Sequence, residues 1–260
     1  MNGNSDSGMT TSDALFSYCL RLGDTSLVLG QRLAEWCGHG PVLEEDIAMT
    51  NISLDLIGQT RGFYSYACTL ENKGRTEDDL AYLRSERDFR NVLLAEQPNG
   101  DFAQTMLRQF LISSFQYVLY TGLCKSKDET LAALALKSLK EVTYHRRHSA
   151  DWIIRFGQGT EESRKRLLDA FDELWIYVDD LFDASPAEAD LVRSGTVVDT
   201  PSLRTEWDVF VRQVFNEAGV NIPEKHHSVR GSLDGKHTEH LGHMLAEMQS
   251  LHRAHPGAEW

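Results

Sequence analysis

The chain has 260 residues, 41% of them hydrophobic, and 39 acidic against 26 basic side chains give a formal charge of −13. Its length fits one large domain or one domain with a substantial extension. The negative balance argues against a broad grip on nucleic acid or an anionic membrane, and no apolar run approaches the ~20 residues of a membrane span, so a cytoplasmic location is expected.

Residues 1–12, MNGNSDSGMTTS, are small and polar, unlike a basic-then-apolar secretory start, and are expected to be a flexible tail. A first helix is predicted from Asp13 to Cys37, with Leu15, Cys19, Leu22, Leu29, Leu33 and Trp36 at three- and four-residue steps. Gly38, His39, Gly40 and Pro41 break it. A second helix follows over Glu44 to Leu70, its first turn acidic (Glu44, Glu45, Asp46) as the helix dipole favours. Next come a charged helix over Asp78 to Leu94 and a break at Gln97-Pro98-Asn99-Gly100. Asp101 can cap a third long helix ending near Cys124.

The fourth long helix runs from after Lys127 to Phe156, with Gly157 terminating it. Thr160 or Ser163 can cap a fifth, striped by Leu167, Phe171, Leu174, Val178 and Leu181. Beyond Ser185-Pro186 the pattern thins to a helix over Ser202 to Glu217 and a last one over Thr238 to His252, too little for an independent core. Strand signals are nearly absent. The fold class is therefore all-α: a ferritin-like, four-helix-type bundle with additional helices over 13–184, and a C-terminal helical extension over 185–260 packed on the bundle or a partner. Cys19, Cys37, Cys68 and Cys124 show no C-x-x-C spacing and each falls in an apolar helical stretch, which predicts buried free thiols.

Ferritin-like bundles build a two-iron site from inward carboxylates and two Glu-x-x-His pairs. Here the third long helix contains no Asp or Glu between Asp101 and Asp128, and the one literal Glu-x-x-His, Glu224 to His227, follows Pro223 in a loop. Asn51, Asp55 and Gln59 share one face of the second helix, as a polar lining or as a structural hydrogen-bonded network. Gly58 and Gly62 allow close helix packing. Glu141 and His145, with His148 a turn later and Glu35, could ligate a single metal; a structurally satisfied His145 is the plainer account. His237, His240 and His243, close to His226 and His227, recur every third residue, but this spacing drifts around a helix and fits zinc poorly. Arg146-Arg147 and Arg164-Lys165-Arg166 are the densest basic clusters, for an acidic partner, a phosphate or plain solvation.

Four stretches carry a family resemblance: Gln31–His39 (QRLAEWCGH), Leu54–Gln59 (LDLIGQ), Glu96–Gly100 (EQPNG) and His237–Gly242 (HTEHLG). In this order they resemble the C-subunit family of bacterial ring-1,2-phenylacetyl-CoA epoxidases, over almost everything after the N-terminal tail. The resemblance implies a hetero-oligomeric monooxygenase for phenylacetate degradation. A related A subunit holds the di-iron centre and binds the CoA thioester, and a reductase with FAD and an iron–sulfur cluster passes electrons from NADPH to the O₂ chemistry. The family's C subunit is the structural companion of A, which implies no catalytic residue and no cofactor in this chain. Against the A subunit's Asp-Glu-Ala-Gly-His, this chain has Asp55-Leu56-Ile57-Gly58-Gln59; against Lys-Glu-Glu-Ser-Phe-His it has Lys140-Glu141-Val142-Thr143-Tyr144-His145. The implied vestigial ligand positions are Glu35, Leu56, Gln59, Val142 and His145. An unusual mononuclear metalloenzyme around Glu35 and His145, and a structural helical protein of some other assembly, remain as alternatives.

Overall fold

Two long antiparallel helix pairs form the centre of the molecule. In this computed structural model, which describes residues 10–222 and 227–258, the first pair is α1 (Thr11–Ala34) with α2 (Leu43–Glu71). The second is α5 (Phe102–Leu123) with α6 (Glu129–Gln158). Between them run α3 (Glu77–Tyr82) and a single turn, α4 (Leu93–Glu96). After them come α7 (Glu161–Leu174), α8 (Ala189–Ser194), α9 (Arg204–Ala218), α10 (Glu239–Met248) and α11 (Ser250–Ala254). No strand occurs among the described residues, and the architecture is an all-α, ferritin-like bundle.

Helix α1 starts with a capping box in which Thr10 and Asp13 satisfy each other's backbone N–H. Residues 10–12 therefore belong to the helix and not to a tail; residues 1–9 lie outside the described part. Helix α5 is sheathed by α6, α7, α9 and the 3-10 stretch Trp175–Phe182. This explains its lack of acids, because almost every side chain is inside and a carboxylate there would need a partner. The apolar stripe expected to finish α7 instead continues into that 3-10 stretch, where Trp175, Val178 and Leu181 are buried.

Gly157 does not end α6, which runs on to Gln158. Its missing Cβ admits the C-terminus of α9, since a Cβ there would lie 2.1 Å from the Ala218 carbonyl oxygen. Helix α9 buries Trp207, Val211 and Phe215 against α5 and α6 and so belongs to the main core. The last helix breaks at Gln249, whose side-chain amide donates to the Ala81 and Arg84 carbonyls. All four cysteines are free, but only Cys19 is buried; Cys37 is exposed and the other two are half-buried.

The charged helix expected over Asp78 to Leu94 is broken into α3, a 3-10 turn at Glu86–Asp88 and α4. Two buried carboxylates account for this. Asp24 on α1 accepts from the Arg90 N–H at 2.8 Å and from Tyr64 Oη, and is forked by Arg84. Asp180 accepts from the N–H groups of Leu93 (2.9 Å), Gly231 (3.0 Å) and Ser232 (3.2 Å). Backbone donors committed to these carboxylates cannot also serve a helix ladder.

Burial works against the charge on Arg84, but Asp24 outweighs it and the guanidinium's pKa is raised. Breaking a buried pair costs about 3–5 kcal/mol because the other charge is left behind. Arg84→Met is expected to lower the unfolding free energy by that order, measured by urea denaturation, and Arg84→Met with Asp24→Leu to recover part of it.

Candidate functional site

The space enclosed by α1, α2, α5 and α6 is where a ferritin-like bundle places its metal ligands. Leu56 from α2 and Val142 from α6 sit there with no solvent exposure, as does His145. Gly30 on α1 backs them; a Cβ on it would lie 3.3 Å from Leu56 Cβ. Gln59 Nε2 donates to Glu141 Oε2 at 2.9 Å, and Tyr120 Oη donates to Gln59 Oε1 at 3.3 Å. Burial pushes the Tyr120 phenol's pKa up. His145 Nε2 lies 2.9 Å from Asp55 Oδ2, a half-exposed carboxylate that reaches in from the bundle surface. On the far side, Ser113 and Ser149 hydroxyls meet at 3.3 Å, and Ser149 also donates to the His145 carbonyl.

The third long helix contributes a neutral polar stripe that the sequence reading missed. Gln109, Ser113, Gln116 and Tyr120 stand at i, i+4, i+7 and i+11, one helical face, and all are buried. The signal in the sequence is the periodicity of amides and hydroxyls in an otherwise apolar helix. Among the described residues, the side-chain amides of Gln109 and Gln116 find no hydrogen-bond partner.

These residues do not fit a di-iron centre. Leucine and valine have no lone pair to offer, Gln59 is engaged by Glu141 and Tyr120, and a single imidazole is left. Among the described residues, no three His, Cys, Asp or Glu side chains converge as a metal site would require.

Glu35 is a correction to the expected set. It caps the C-terminus of α1, half-exposed, and binds Arg32 at 2.9 Å and Asn99 Nδ2 at 2.8 Å, beyond the end of the bundle interior. The α1 residues at the level of the interior cluster are Ser26, beside Tyr120, and Gly30. Glu35 and His145 therefore share no site. His148 and Trp152 both turn to Glu45, at 3.0 and 2.9 Å. Of Asn51, Asp55 and Gln59, only Gln59 is buried. Glu224 and His226 lie outside the described residues. The basic clusters are engaged locally: Arg146 stacks over Tyr117 and Phe210, Lys165 pairs with Asp169, and Arg166 with Glu162.

A second polar centre joins three of the resembling stretches. Glu96, fully buried, accepts from Asn91 Nδ2 (2.8 Å), His237 Nδ1 (2.8 Å) and both the N–H (2.6 Å) and hydroxyl (2.8 Å) of Thr238. His237 Nε2 lies 3.0 Å from the Phe89 carbonyl oxygen. Both ring nitrogens thus face acceptors, and only an imidazolium donates from both. Burial alone would lower the pKa of His237, but the hydrogen bond and charge of Glu96 outweigh it and raise it. Arg32 donates to the Glu96 and His240 carbonyls, tying α1 into the same knot. Buried Arg108 holds the adjoining loop through the Gln97 and Pro98 carbonyls and Asn99. His237 is thus a clasp; it does not gather with His240 and His243 around a metal.

The model of the phenylacetic acid catabolic protein family matches residues 1–260 of the chain. Among curated proteins, the chain is 48% identical over 246 residues to the C subunit of the 1,2-phenylacetyl-CoA epoxidase of Escherichia coli (strain K12). That match covers 95% of this chain and 99% of the relative.

Two outcomes are expected from this geometry. Leu56→Ala should cost about 2–5 kcal/mol, as for a truncated core leucine, and an unchanged denaturant midpoint would remove Leu56 from the core. The folded-state pKa of His237 lies above its unfolded value of about 6.5, so the clasp's ionic stabilisation is complete below that value and fades as pH rises through the folded pKa. Urea denaturation at stepped pH should show wild type losing more stability than His237→Gln over that rise.

Proposed function

The chain belongs to the phenylacetic acid catabolic protein family, and from that membership we propose that it is a non-catalytic subunit of a cytoplasmic phenylacetyl-CoA 1,2-epoxidase. The observation that carries this reading is the pair Leu56 and Val142, fully buried where metal-binding relatives would need donors. In this role the chain is the companion of a di-iron A subunit, and iron, FAD and the iron–sulfur cluster belong to its partners. The partner, with NADPH and O₂ through the reductase, carries out the epoxidation.

This chain's own residues then act by position. A subunit that turns several carboxylates inward bears a high cost whenever metal is absent, because unpaired buried charge is unfavourable. Docking on a sister bundle whose interior holds Leu56 and Val142 in place of such carboxylates, with Glu141 and Asp55 engaged by Gln59 and His145, offsets that cost. It also fixes the positions of the iron-bearing helices. Obligate interfaces of this kind bury more than about 2,000 Å².

The test is co-expression of the A subunit with and without this chain, followed by an NADPH- and O₂-dependent assay on phenylacetyl-CoA with the reductase supplied. A soluble, active A subunit only in the presence of this chain is expected. Full activity without it would overturn the companion role, and turnover by this chain alone would overturn the non-catalytic one. Elemental analysis after anaerobic iron reconstitution of the purified chain is expected to find no stoichiometric iron; about two irons per chain would sink the proposal.

A further inference from the structure

Between α1, α5 and the 3-10 turn Thr200–Leu203 the core does not close completely. A cavity there leaves about 20 Å³ open to the centre of a water molecule, and about 10–15 Å³ is enough to hold one. Size alone decides nothing, because cavities walled only by hydrocarbon stay dry. Leu22, Phe115 and Leu119 supply part of such a wall.

The polar members of the lining are the informative ones. Tyr18 from α1, Gln116 from α5 and Thr200 from the turn are each 2% exposed, so bulk solvent does not serve them. Among the described residues, Tyr18 Oη, Thr200 Oγ1 and both ends of the Gln116 amide find no hydrogen-bond partner. Turning that amide over changes nothing, since oxygen and nitrogen are equally unserved.

The other polar side chains around the cavity are already engaged. Tyr120 Oη donates to Gln59 Oε1, Thr25 Oγ1 accepts from the Val92 N–H at 3.3 Å, and Arg21 Nη2 donates to the Leu181 carbonyl at 3.2 Å. The unmet demand is thus concentrated in three residues, from three segments far apart in sequence, around one water-sized space. Protein interiors seldom leave such groups unserved, because each has given up its hydration without return. A water bonded to one end of the amide and to both hydroxyls makes three bonds, the usual number for a buried water.

We propose that this cavity is a hydration site, in which one ordered water joins Tyr18 Oη, the Gln116 side-chain amide and Thr200 Oγ1. It seals the turn that leads into α9 onto the bundle. The site lies within one chain and needs no partner subunit.

Tyr18→Phe and Thr200→Val each remove one hydroxyl and little else, and the sign of their effect separates a wet cavity from a dry one. In a wet cavity each variant takes a bond from the water. The melting temperature of the full-length chain, followed by circular dichroism, should then fall by about 2–4 °C. In a dry cavity each variant removes a polar group that had no partner, and the melting temperature should stay level or rise. A crystal structure of the full-length wild-type chain, at a resolution that shows ordered water, should place one peak within hydrogen-bond distance of all three groups. Either variant melting level with wild type or above it overturns the site. So does density without a water in reach of all three. If a variant folds poorly, the wild-type density decides the matter alone.

Discussion

Three buried carboxylates govern how this chain closes on itself. Asp24, Glu96 and Asp180 have no solvent exposure, and each is satisfied by groups distant in sequence. Asp24 takes Arg84 and the Arg90 N–H; Glu96 takes His237 and Thr238; Asp180 takes the N–H groups of Leu93, Gly231 and Ser232. An unpartnered charge in such places costs several kcal/mol, a large part of a domain's net stability. These bonds tie the irregular segment between α3 and α5, and residues 231–238 after α9, to the bundle, although neither carries a long hydrophobic stripe.

The bundle interior uses polarity differently. Its groups are amides, hydroxyls and one imidazole, arranged around Leu56 and Val142, and the acids that take part, Asp55 and Glu141, reach in from the periphery. Amides and hydroxyls ask for hydrogen-bond partners and not for a counter-charge. In the proposed complex this lets one bundle fold without reference to iron while the other depends on it. The division of labour between two subunits of one fold would then rest on a handful of side chains.

Much of this was legible in the sequence. The four long helices followed from apolar periodicity, and the Leu56 and Val142 replacements were implied by Asp55–Gln59 and Lys140–His145 standing against the A subunit's two motifs. Element ends and non-local contacts were harder. The run from Asp78 to Leu94 has enough apolar spacing to read as a helix, and the carboxylates that divert its backbone come from residues 24 and 180. Glu35 stood as a ligand position because the resemblance matches it to the family's first-helix ligand, yet the helix ends there and the side chain turns to Arg32 and Asn99. His237 drew attention among neighbouring histidines, but its partner lies 141 residues away, beyond any local pattern.

That separation has a consequence for how the chain is made. A chain emerging from the ribosome presents Glu96 long before His237 and Thr238 exist, and domains begin folding from the N-terminal side during synthesis. Until residues 237 and 238 appear, Glu96 must stay hydrated or accept only from Asn91, leaving that end of the nascent bundle unsealed. Closing it bridges 141 residues, so its entropic cost is met only once that span has been made. A chain lacking residues 237 and 238 would leave Glu96 with the Asn91 amide alone, a buried charge short of most of its donors.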